Sequence, residues 1–216
     1  MTAIELSSDV GLAAVFLVTA NLCLGLLIAV RYSPVRRWPH RHVNIFAFHN
    51  WTAYLALTAT LLHPVVLLFS SQVRFRMLDV VVPLWSPQQP LENTLGATAL
   101  YVLVVVVLTS YWRHALGRRR WKRLHYLVYP AAALLFAHGL LTDPELKNQP
   151  VGWLDGEKVF IQICFLCVTG FALWAWRHRV MKERRERALH LGRYHSLEPP
   201  ADVVVAPPLP EQSDTV

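Results

Sequence analysis

The sequence predicts an all-α membrane protein: a bundle of five transmembrane helices, N-terminus outside and C-terminus in the cytoplasm. Three observations carry that expectation. Hydrophobic residues make up 54% of the 216-residue chain and charged residues only 16%, whereas a soluble domain carries about a quarter charged residues. Five stretches of 18 residues or more contain no Asp, Glu, Lys or Arg, and a hydrocarbon core needs roughly 20 helical residues. The Lys and Arg residues between these stretches fall mostly on alternate sides. This composition excludes an ordinary soluble enzyme and, the end of the chain apart, a disordered one.

The first uncharged stretch is Val10–Val30, 21 residues long and preceded by Glu5 and Asp9 but by no basic residue. Its length and its acidic flank mark a span rather than a cleaved signal peptide. The second, Asn44–Ser70, has 27 residues, enough to tilt or to run past the interface. The loop segment MLDVVVPLW, Met77–Trp85, reads either as a short amphipathic piece at the interface or as an ordered cap over the bundle. Asn93–Trp112, Leu124–Thr142 and Val159–Trp176 follow, with 20, 19 and 18 residues. The expected organisation is a short outer N-terminus (1–9), a membrane domain (10–176), a basic cytoplasmic helix (177–197) and a disordered Pro-rich tail (198–216). The length leaves no room for a second catalytic domain.

Orientation comes from Lys and Arg. The first loop holds Arg31, Arg36, Arg37 and Arg41, the third holds six basic residues from Arg113 to Arg123, and the segment from Arg177 holds seven. That is 17 on one side, against four on the other: Arg74, Arg76, Lys147 and Lys158. The positive-inside rule puts the 17 in the cytoplasm. The net charge of +7 is therefore topological. It calls for membrane lipid and not for nucleic acid.

Ten histidines are present, and four of them, His49, His63, His125 and His138, lie inside spans. An ionisable residue at membrane depth points to function, although one alone is more often polar glue between helices. His49 and His63 are 14 residues apart, which places them within roughly 40° of one helical face and about 21 Å apart along the axis. His125 and His138 lie 13 apart two spans later. Both helices run outward from the cytoplasm, so each offers one inner and one outer imidazole. His49 with His125, and His63 with His138, can provide the two axial ligands of a haem iron. Two b-type haems stacked across the bilayer, enclosed by the bundle, would conduct electrons. Zinc fits less well, because two ligands per level are too few. A proton relay does not need a two-by-two arrangement. Thirteen residues of ideal helix leave His125 and His138 some 140° apart, so the reading requires a change of helical phase between them, from a kink at Pro130 or a π-type bulge.

With these residues in view, the chain resembles the ferric reductase-like transmembrane domain superfamily over roughly Asn44–Trp176. That superfamily includes NADPH oxidases, ferric reductases and a bacterial haem-binding membrane subunit of methionine sulfoxide reductase. The likeness rests on His-x13-His in one span and His-x12-His two spans later. The stretch LTSYWRHALGRRRWKRLHYLVY, Leu108–Tyr129, also looks like the corresponding segment of the methionine sulfoxide reductase subunits. Those subunits need not have a counterpart of His49, so its presence favours the two-haem branch. Oxidases and ferric reductases carry a flavin and nicotinamide domain after the last span. About 40 residues follow Trp176 here, and no G-x-G-x-x-G occurs among them. The expectation is the haem-binding membrane component of an oxidoreductase in a bacterial inner membrane. Its donor would be a separate flavin reductase or a quinol. Its outer acceptor would be ferric iron, oxygen or a periplasmic protein. A reading from a different class is a non-redox scaffold or transporter, with the histidines as polar glue or a proton path.

Other residues carry weaker signals. Arg41 and Arg123, with Arg113, Arg120 and Lys122, are placed to pair with haem propionates, although lipid headgroups claim such residues as readily. Trp51, Tyr54, Tyr129 and Phe136 could pack on porphyrin faces or belong to core and interface belts. Cys164 and Cys167 form a C-x-x-C within the fifth span, with Cys23 distant in sequence, and read as small apolar residues.

Overall fold

The computed structural model describes residues 2–32, 44–143 and 152–197. Arg41, Lys147 and the Pro-rich tail lie outside them. Contacts divide the chain into two units, Met1–Ala175 and Trp176–Val216.

In the first unit, α1 (Ala3–Ala29) starts with a reciprocal cap. The Thr2 hydroxyl accepts from Glu5 N–H, and the Glu5 carboxylate accepts from Thr2 N–H at 2.8 Å, satisfying two donors that a helix start leaves open. Glu5 and Asp9 lie on this helix. Asn44 caps α2 (Ile45–Leu67) through Ala47 N–H. The Met77–Trp85 loop is ordered as α3 (Met77–Val81) and a 3-10 turn at Pro83–Trp85. Tyr101 ties this loop down by donating its hydroxyl to the Val81 carbonyl, while Met77, Leu84 and Trp85 stay exposed. α4 (Pro90–Tyr111) begins with Pro90, whose missing N–H costs nothing at a helix start.

The fourth uncharged stretch is two helices. After the short α5 (Arg113–Leu116) and a turn at Gly117 with φ of 74°, α6 covers Arg118–His125 and α7 covers Val128–Leu141. Pro130 explains the break. It has no N–H to offer Tyr126, whose carbonyl instead accepts from Tyr129, three residues on, at 3.2 Å; Leu127 likewise donates to Leu124 at 3.0 Å. Such a tight turn advances about 120° per residue rather than about 100°. Two such turns just ahead of the proline add roughly 20° per residue and so supply part of the phase change between His125 and His138.

α8 (Gly156–Leu197) is the last helix. No strand occurs among the described residues. Four stretches are long and apolar enough to cross a membrane: Ala3–Ala29, Pro90–Tyr111, Arg118–Leu141 and Gly156–Leu189. α2 is 23 residues long and uncharged, but His49, Asn50, His63 and three threonines dilute its apolar character.

α1 pairs with α2, and α4 with α6 and α7, as antiparallel hairpins. Ser7 meets His63 and Asn21 meets His49 in one; Glu92 meets His138 and Ser110 meets His125 in the other. Val15, Val18, Leu22, Ala56, Ala99, Ala132, Leu135, Phe136, Ile161 and Cys164 form the shared core. Small side chains at Ala56, Ala99 and Ala132 let the helices approach closely, as is common where lipid supplies no hydrophobic drive between helices. In the second unit, helical residues from Trp176 carry exposed charges, with i,i+4 pairs Lys182–Glu186 at 4.0 Å and Glu183–Arg187 at 3.9 Å.

Candidate functional site

His49, His63, His125 and His138 come together in two facing pairs. The ring centroids of His49 and His125 lie 6.2 Å apart with planes at 73°. Those of His63 and His138 lie 6.1 Å apart at 70°. α2 gives one ring to each pair. α6 gives His125 to the inner pair and α7 gives His138 to the outer.

Each ring is held at Nδ1. His63 Nδ1–H donates to the Ser7 carbonyl at 2.7 Å, and His138 Nδ1–H donates to the Glu92 carbonyl at 2.8 Å. His49 Nδ1–H donates to the Asn21 carbonyl at 3.2 Å, while the Asn21 amide donates back to the His49 carbonyl and to Thr52. His125 Nδ1 meets the Ser110 hydroxyl at 3.2 Å. A carbonyl only accepts, so in three rings Nδ1 carries the hydrogen and Nε2 keeps its lone pair. Such an outer contact fixes both tautomer and ring orientation in a metal-ligating histidine.

Glycines make room for these contacts. A Cβ at Gly11 would lie 3.0 Å from the His63 ring, one at Gly25 would lie 3.3 Å from His49, and one at Gly96 would lie 2.9 Å from His138. The rings press against the backbone of α1 and α4 where side chains are missing.

This donor set fits a haem. Two imidazoles bound through facing Nε2 atoms at about 2.0 Å each put their centroids roughly 6 Å apart. No group of three or more His, Cys, Asp or Glu suited to a metal occurs among the described residues. Two donors per level suit an iron whose other ligands come from a macrocycle. The outer pair also borders a partly open cavity. Ser7, Gly11, Thr60, Asn93 and Lys158 line it with the two histidines. Lys158 is only 4% exposed. Its ammonium donates to the Gly139 carbonyl at 2.7 Å and to the Thr142 carbonyl, closing the C-terminal end of α7 beside His138.

Other expected residues are scattered. Arg123 is exposed. Arg113 stacks over Phe46 at 4.9 Å, and Lys122 over Tyr126 at 5.6 Å. Trp51, Tyr54 and Tyr129 are exposed, whereas Phe136 is buried and meets Phe165 edge-on at 5.6 Å. Cys23, distant in sequence, lies near Cys164 and Cys167, and none of the three is in a disulfide. Sequence reasoning missed the carbonyl acceptors, the glycines, Ser110 and Lys158. One signal was available: Gly11 and Gly25, and likewise Gly96 and Ser110, are 14 residues apart, the same interval as His49 and His63.

Neither the curated proteins nor the solved structures provide a match to this chain. A family model, the ferric reductase like transmembrane component, does match, over residues 11–136. It takes in α1, which lay outside the expected resemblance, and His49, His63 and His125, and it stops two residues before His138. With more than half of its residues matched, the chain belongs to the family of ferric reductase like transmembrane components.

Proposed function

We propose that the chain carries electrons across the membrane through two b-type haems, one between His49 and His125 and one between His63 and His138. The observation that carries this reading is the paired geometry, with centroids 6.2 and 6.1 Å apart and Nδ1 occupied in every ring. Haem iron supplies reversible one-electron chemistry when bound. The protein's part is to hold and orient the ligands and to keep water out. α1 and α4 backbones fix the rings, Ala132, Leu135 and Phe136 belong to the apolar core shared by the helices, and Lys158 sets a buried cation beside the outer pair.

α2 is the fifth span in this reading, giving a five-helix bundle with its N-terminus outside. The charge count of 17 to four supports that orientation. The donor is a separate flavin reductase or a quinol at the cytoplasmic face. The acceptor is ferric iron, oxygen or a periplasmic protein, and the membrane is a bacterial inner membrane. Arg41 and Arg123 would answer the propionates of the inner haem.

The test is a reduced-minus-oxidised absorption spectrum of the purified chain, with haem counted per polypeptide. The expected result is b-type bands, two haems per chain, reduction by dithionite and no reduction by NADPH alone. A purified chain without haem bands would leave the histidines as polar glue and overturn the proposal.

A further inference from the structure

We propose that Ser110 is a positioning residue that stands where the other three sites have glycine, and that it thereby holds the inner iron at a higher potential than a direct carbonyl contact would. The inference rests on the haem reading above.

Three of the four rings are held by one device. The ring donates to the carbonyl of residue n, and residue n+4 is glycine: Ser7 with Gly11, Asn21 with Gly25, Glu92 with Gly96. In a helix the carbonyl of n faces the N–H of n+4, so a side chain at n+4 would cover that carbonyl, and its absence lets the ring in. By the 14-residue interval the fourth device falls at Val106 and residue 110, and residue 110 is serine.

The Ser110 hydroxyl donates to the Val106 carbonyl at 2.7 Å. Its oxygen accepts from the Trp121 indole N–H at 3.3 Å and lies 3.2 Å from His125 Nδ1. A hydroxyl has a single hydrogen, and Val106 takes it. Ser110 therefore only accepts from His125, so this ring too keeps Nε2 free. The Trp121 ring lies 5.2 Å from His125, tilted 31°, and holds it in place. The hydroxyl thus sits between the imidazole and the carbonyl that would otherwise receive its proton.

The chemical consequence follows from ligand basicity. An Nδ1–H bonded to a strong acceptor makes the imidazole a better electron donor at Nε2, which favours the oxidised metal. A backbone carbonyl is such an acceptor. A hydroxyl oxygen already shared with Trp121 is a weaker one. With serine at 110 the inner ligand gives less charge to the iron, and the reduced state is favoured.

The test is a redox titration of the purified holoprotein as wild type, Ser110→Gly, Ser110→Ala and Ser110→Thr. The wave that disappears in His125→Ala identifies the inner level. Ser110→Gly opens the Val106 carbonyl to His125 and should lower the inner potential. The expected shift is about five- to tenfold in the oxidation equilibrium, where tenfold is about 59 mV for one electron. Ser110→Ala removes the acceptor without opening the carbonyl and should raise the same wave. Ser110→Thr keeps the hydroxyl and should leave it in place. The outer wave should be the same in all four proteins. If Ser110→Gly fails to retain haem, the alanine and threonine variants decide by the rise and the absence of a shift. Glycine and alanine moving the inner wave the same way, or neither moving it, overturns the inference while two bound haems leave the reading beneath it standing. Wild-type protein without haem overturns both.

Discussion

The outer and inner histidine pairs have nearly the same internal geometry, with centroids 6.1 and 6.2 Å apart and planes at 70° and 73°. Their surroundings differ. Both outer rings make short bonds to backbone carbonyls, at 2.7 and 2.8 Å, with hydroxyls of Ser7 and Thr142 at 3.1 Å as second partners. Beside them are a cavity and the buried Lys158. Both inner contacts are 3.2 Å, and one goes to a side chain. The comparison separates two tasks. Helix phase and backbone spacing set where the rings meet, whereas local polar groups set how strongly each ring is polarised.

The largest effect expected is loss of one level at a time. His63→Ala or His138→Ala should remove one haem per chain and leave the other; His49→Ala or His125→Ala should do the reverse. Haem stoichiometry measures this, and four variants with unchanged stoichiometry would defeat the pairing. The glycines sharpen the contrast. A Cβ at 96 would lie 2.9 Å from His138, but one at 25 would lie 3.3 Å from His49, so Gly96→Ala should weaken outer haem retention by about tenfold, and Gly25→Ala should weaken inner retention less. A dilution series of haem retention compares them; equal losses would erase the difference between the levels.

Lys158→Met comes next. It leaves the Gly139 and Thr142 carbonyls without their donor, which should lower stability by about 1–3 kcal/mol. Loss of the nearby cation should also lower the outer potential while leaving the inner one alone. Thermal unfolding and redox titration read the two effects, and an inner-level shift would contradict the placement of the charge. The smallest effect belongs to Cys164→Ser and Cys167→Ser, which should leave haem content and both potentials unchanged. A change in either spectrum would give the cysteines a part in the site.

The helices were legible in the sequence because uncharged runs end at charged or capping residues. α2 lies within Asn44–Ser70, and α4 starts three residues ahead of its expected boundary. The fourth span was legible only as a misfit. The 140° conflict between His125 and His138 was visible, but its resolution depends on where the Tyr126 carbonyl finds a donor once Pro130 withholds one. The four rings could be named from spacing. Their acceptors could not, because a backbone carbonyl leaves no trace in residue identity, and only the glycines hint at it. Lys158 read as one more basic residue on the sparsely charged side because burial is a tertiary property. Arg123 matched the expected chemistry of a propionate partner but is exposed.

The hydrogen bonds that hold the rings run within hairpins: α1 with α2, and α4 with α6 and α7. Each site is therefore split into halves, one from each hairpin. A metal bound between His49 and His125, or between His63 and His138, would act as a rivet joining two separately braced pieces. Its binding energy would add to their cohesion by mass action. During synthesis the first hairpin is complete, with both rings already aimed, before the second has been made. The inner pair becomes complete once residue 125 is in place and the outer pair only once residue 138 is, so a chain stopped short of 125 would carry two imidazoles with nothing opposite them.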